Sequence, residues 1–309
     1  MNKPPTGIPR YRKTSWPALF QEGFRPFFLG AAVWAALSML LWLLLLADRI
    51  ELPIAIDPLA WHAHEMVHGF AMAAVAGFLL TAIPNWSGRF PLQGAPLFCL
   101  AAAWACGRAA MAASAIVGVA ATALIDLAFP LLFIAAVARE IVMGRNWRNA
   151  PALAALTLLL LASGLTHAEF LGIVATGALG NRLGLAVLAS LIALVGGRII
   201  PSFTRNRLAR QGDRRHRPAA DALDRLALGL APAGLAVWVV DPGGAIAGAL
   251  LLAAGFANVV RLARWRGLAV RRETLLFALH LGYGWLTLGL VLLGLAGLGL
   301  VPDAAALHA

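Results

Sequence analysis

The sequence predicts an all-α fold, a polytopic bundle of transmembrane helices, and three features carry that prediction. The chain is 61% hydrophobic and 13% charged over 309 residues, more apolar sequence than a soluble core needs. Its apolar runs recur at about 20 residues, the length that crosses a ~30 Å hydrocarbon core. Polar faces with a strand or surface-helix period are few. Nine spans follow, over residues 27–47, 60–83, 94–112, 116–138, 150–171, 181–200, 223–240, 244–263 and 273–297. A tenth is expected to begin at "DAAALHA" (303–309), so the chain reads as C-terminally truncated. Residues 1–309 read as a single integral membrane domain, with an N-terminal segment over 1–26 and a basic loop over 201–222.

The first run, Phe27–Ala47, follows the basic residues Lys3, Arg10, Arg12, Lys13 and Arg25. It is too long for a signal-peptide core, and "LLLLADRI" offers no small-residue cleavage pattern, so it reads as an uncleaved span. Span 2 opens with "WHAHEMVHGF" (61–70). Span 3 holds the two cysteines, Cys99 and Cys106. Seven residues apart on a helix, they share a face at a separation of ~10 Å, too far to bond, and read as small packing residues. Span 4 carries Asp126, and span 5, which follows the interfacial anchor "NWRNAP", carries His167 and Glu169 near its end. Span 6 closes with "GGRIIPSFTRN" (196–206), where the glycine pair permits close helix approach and Pro201 is expected to end the helix. "AIPNW" (82–86) and "IIPSF" (199–203) form a faint internal echo. His280 lies alone about two turns into span 9, and His308 opens the tenth.

The net charge of +11 raises nucleic acid as a partner, but position excludes it: the basic residues sit between apolar spans, with no basic helix interleaved with exposed aromatics. Alternate loops hold 22 of the 25 basic residues. The opposite set holds only Arg49, Arg108 and Arg182. The positive-inside rule then places the N-terminus in the cytoplasm. The stretch "RNRLARQGDRRHRP" (205–218), which includes His216, reads as a solvated cytoplasmic loop.

With that orientation span 2 enters from the non-cytoplasmic side, and His62, His64, Glu65 and His68 occupy its first two turns. At 100° per residue their side chains fall within ~160°, one polar face on an apolar helix. His167 and His308 are expected at the same depth. Ionisable residues in spans are costly and usually functional. Imidazole suits zinc, copper and haem iron, and a neighbouring carboxylate such as Glu65 fixes its tautomer. His62, His64 and His68 are therefore candidate metal ligands. His64 to His68 also spells H-E-M-V-H, the letters of a zinc-protease motif, which needs a cleft and a third ligand. Arg25 in "GFRPFF" and Arg198 are candidates to pair with haem propionates or with an acid.

"GFRPFFLGAA", "WHAHEM", "GFLLTAIPNWSGR", "RNWRN", "GGRIIPSFTRN" and "ALHA" occur here in the order and spacing of the NnrS family. The chain resembles that family over essentially all of Gly23–Ala309. The resemblance implies a bacterial inner-membrane protein that carries haem and copper and is tied to nitric oxide and nitrosative stress, often beside denitrification functions. It implies His62, His64, His167, His280 and His308 as cofactor ligands, with Glu65 in support. His68 falls where an apolar residue is expected in relatives. The implied partners are the lipid bilayer and a small diatomic ligand, nitric oxide. Two other functions fit the same residues. A quinol-linked haem–copper redox enzyme needs a proton path, and acids within the spans are few (Asp126, Glu169). A transporter of a metal or small ligand needs helices broken at mid-membrane.

Overall fold

A computed structural model of the chain describes residues 15–87, 90–213 and 221–308. The readings for Lys3, Arg10, Arg12, Lys13, Arg89, the arginines of 214–217 and His216 lie outside the described residues. Among those described, nine helices are long and apolar enough to cross a membrane. They are α1 (Phe24–Leu46), α2 (Pro58–Trp86), α3 (Ala95–Ala112), α4 (Val119–Met143), α5 (Trp147–Phe170), α6 (Leu179–Arg210), α7 (Ala222–Val240), α8 (Ala245–Arg264) and α9 (Thr274–Gly297). A short helix α10 covers Asp303–Leu307. All nine expected spans are present, so the all-α polytopic fold holds.

Helix starts follow local chemistry. Asp57 caps α2, its carboxylate accepting from the backbone N–H groups of Leu59 and Ala60, with Pro58 in the first turn. Asp221 and Asp224 form a reciprocal capping box at α7. Cys99 and Cys106 are both free, as expected, but they are exposed rather than packed. Large apolar side chains are exposed along the spans, among them Leu40, Leu124, Leu131 and Phe256. That is what a surface solvated by lipid requires.

The chain forms two compact units, dividing after Gly184. In the first, α1 to α5 pack together with the opening turns of α6. The second contains the rest of α6 with α7, α8 and α9, built around the buried Arg261. Its guanidinium donates to Asp224 Oδ1 (2.6 Å), Tyr283 Oη (2.8 Å) and the Gly197 carbonyl (3.1 Å), and Tyr283 in turn donates to Asn258 Oδ1 (2.7 Å).

This network explains a departure from the sequence reading. α6 does not stop at Pro201 but continues to Arg210. Proline removes the N–H that would bond the carbonyl four residues earlier, here that of Gly197, and Arg261 takes that carbonyl instead. Gly197 is required for the approach, since a Cβ there would lie 2.4 Å from both terminal nitrogens of Arg261. Gly197→Ala is therefore expected to destabilise the second unit by about 1–3 kcal/mol through overpacking, read as a lowered thermal midpoint in detergent. α2 likewise runs on through Pro84.

Candidate metal centre

α2 changes its winding where the histidines lie. Pro58–His64 is α-helical, and Glu65–Ala71 is a seven-residue π-helix. π-helical turns are rare and concentrate at functional sites. The wider turn replaces the 100° periodicity assumed from sequence. The carbonyl of Gly69 within it accepts from Trp104 Nε1 on α3 (3.0 Å).

Five helices meet at this turn, each supplying one or two polar side chains. Glu65, fully buried, accepts from Trp34 Nε1 of α1 (2.7 Å) and Arg108 Nη1 of α3 (2.6 Å) on one oxygen. Its other oxygen lies 3.1 Å from His64 Nδ1. Arg108 also donates through Nη2 to Asp126 Oδ1 of α4. The second oxygen of Asp126 lies 2.8 Å from His167 Nε2 of α5 and 3.3 Å from His64 Nε2. The rings of His64 and His167 are 5.1 Å apart.

Two glycines make room. A Cβ on Gly69 would sit 2.6 Å from Arg108 Nη1 and 2.8 Å from Glu65 Oε2, and one on Gly107 would sit 2.8 Å from Asp126 Oδ1. Pro130, inside α4, withholds the N–H that the Asp126 carbonyl would otherwise take.

The electrostatics of this cluster call for a cation. Glu65 and Asp126 carry two negative charges, Arg108 one positive, and each of the three is at most 3% exposed. One negative charge in excess within a membrane bundle is costly. Each imidazole supplies a lone pair. When His64 is neutral and its Nδ1–H donates to Glu65, its Nε2 is a bare acceptor 3.3 Å from the carboxylate oxygen of Asp126. Two facing acceptors are satisfied by a proton or a metal ion placed between them. The ligand atoms of His64, Asp126 and His167 all lie within 4.8 Å of one another. Two imidazoles and one carboxylate suit copper, zinc or ferrous iron. The trio fits a single ion, and donor atoms so close together leave no room for a porphyrin.

Of the residues singled out in the sequence, the structure brings together His64, Glu65 and His167, with the His68 ring 5.1 Å from that of His64. His62 is also buried, stacked on Trp42 at 4.8 Å, outside the three-donor set. His280 lies in the second unit, with Nδ1 2.9 Å from the Leu276 carbonyl and Nε2 3.3 Å from Thr204 Oγ1. His308, exposed, has Nδ1 2.7 Å from the Ala304 carbonyl. Arg25 pairs with Glu22 (3.1 Å), and Arg198 is exposed. Glu169 binds Thr176 Oγ1 and the Ala178 N–H, closing the turn before α6. Glu65 is engaged by three partners, so H-E-M-V-H lacks the free carboxylate that a zinc protease uses as its base.

Three members were not singled out as site residues: Trp34, Arg108 and Asp126. The charge pattern of the sequence assigns Arg108 to a loop, yet it is 3% exposed within α3. The signal was present. Glu65, Arg108 and Asp126 are charges of opposite sign inside three successive apolar spans, and such charges pair.

Fold and site together define a class: a polytopic α-helical membrane protein with a buried carboxylate–histidine–arginine centre. The chain belongs to the NnrS protein family, whose model matches residues 18–309. Membership supports a membrane protein related to nitric oxide stress. Comparison with curated proteins and with solved structures found no match.

Proposed function

We propose that this is a metal-binding protein of the bacterial inner membrane, N-terminus in the cytoplasm, that binds nitric oxide and protects against nitrosative stress. The observation that carries the reading is the three-donor set His64, Asp126 and His167 inside a cluster with excess negative charge. These residues would hold copper, the ion the family resemblance implies. A bound copper ion supplies a redox-active site with affinity for nitric oxide.

The chain's own residues do the positioning. Glu65 fixes the His64 tautomer so that Nε2 is free to coordinate. Arg108 anchors both carboxylates and keeps the set from relaxing. The apolar surroundings suit an uncharged diatomic that partitions into lipid. Haem enters through the family resemblance, and its ligands are sought among His62, His280 and His308.

The test is elemental analysis of purified variants. His64→Ala and His167→Ala are expected to lose copper while the helical content stays, and His62→Ala to retain it. Full copper in both of the first two variants would overturn the assignment.

A further inference from the structure

His68 is 3% exposed, and neither of its ring nitrogens has a hydrogen-bond partner among the described residues. An imidazole always presents at least one N–H donor, so the orphan is real whichever tautomer is present. Ser163, 1% exposed, has an unpartnered hydroxyl as well. Buried polar groups left unpaired by protein are satisfied by ordered water, an ion or a bound ligand, or are kept for a functional role.

The helix directions put the two orphans on one side of the trio. α2 and α5 are three spans apart in sequence and so run antiparallel. His64 and His167 face each other at one level. His68 lies four residues beyond His64 in the π-helical segment, its ring 5.1 Å from that of His64, and Ser163 lies one α-helical turn before His167, so both fall on the same side of the trio. The start of α6 lies against both helices. A Cβ on Gly180 would lie 2.5 Å from the Ala162 carbonyl beside Ser163, and one on Gly184 would lie 3.1 Å from His68 Cε1.

We propose that His68 and Ser163 form a ligand subsite beside the three-donor centre, donating hydrogen bonds to a small uncharged acceptor of diatomic size. This rests on the nitric oxide reading above and names the residues that would recognise the ligand. His68 is then a positioning residue for ligand and not a metal ligand.

The experiment loads the full chain with copper, adds nitric oxide, and records the N–O stretch by infrared spectroscopy with isotopic substitution. Copper content is counted in each sample. A donor to the nitrosyl oxygen lowers the stretch, so His68→Leu and Ser163→Ala are expected to raise it, and His68→Gln to restore part of the shift. Nitric oxide should dissociate about fivefold faster from His68→Leu, the effect of one hydrogen bond. An unchanged stretch in both His68→Leu and Ser163→Ala would overturn the subsite, as would loss of copper in His68→Leu. Ser163→Ala, a small change, carries the test if His68→Leu does not fold. A wild-type protein that forms no nitrosyl would overturn the nitric oxide reading and the subsite with it, and that outcome is told apart because it shows in the unmutated chain.

Discussion

Arg108→Met is expected to destabilise the first unit by about 3–5 kcal/mol, the cost of removing one partner from a buried ion pair. The size follows from what is left behind. Glu65 and Asp126 would remain, each at most 3% exposed, with two negative charges and no cation between them. Methionine fills much of the volume, so the loss is electrostatic and not a cavity. Adding Glu65→Gln and Asp126→Asn to Arg108→Met should recover much of the stability, because an uncharged cluster no longer needs the guanidinium. The measurement is thermal unfolding in detergent of the single and triple variants. A single variant within about 1 kcal/mol of the parent, the range of an exposed pair, would show that the pairing contributes little.

Asp126→Asn is expected to have the opposite pattern, a folded protein that does not hold the ion. Asparagine is nearly the same shape, and its carbonyl can still accept from Arg108. The substitution removes one negative charge, leaving Glu65 and Arg108 to balance. It also removes the anionic donor shared by His64 and His167. Loss of an outer-sphere partner weakens metal affinity about 10–100-fold, so loss of a direct donor should exceed that. Copper per chain should fall to background while the thermal midpoint moves little. Retained copper in Asp126→Asn would remove Asp126 from the centre.

The fold was legible because membrane helices announce themselves by length and apolarity, and each of the nine spans has a counterpart. What sequence did not give were departures from regular winding. Pro201 is expected from sequence to end its helix, yet the Gly197 carbonyl it frees is taken by Arg261, 64 positions further on in sequence. The π-helical turn at Glu65–Ala71 has no periodic signature, since it is one wide turn within an otherwise α-helical span. The histidine motif points to His64 and Glu65, and position at the same membrane level points to His167. Asp126 and Arg108 carry no such signal, because each is an isolated charge within an apolar stretch. Their meaning comes from three helices meeting at one level, which composition and spacing within a span do not encode.

The most direct test of the account is a copper titration of the purified chain followed by electron paramagnetic resonance of the cupric form. Saturable binding of one copper per chain is expected, with hyperfine coupling to two imidazole nitrogens that is lost in His64→Ala and in His167→Ala. A folded chain that takes up no copper, or one whose copper signal in both variants is unchanged from the parent's, would contradict it.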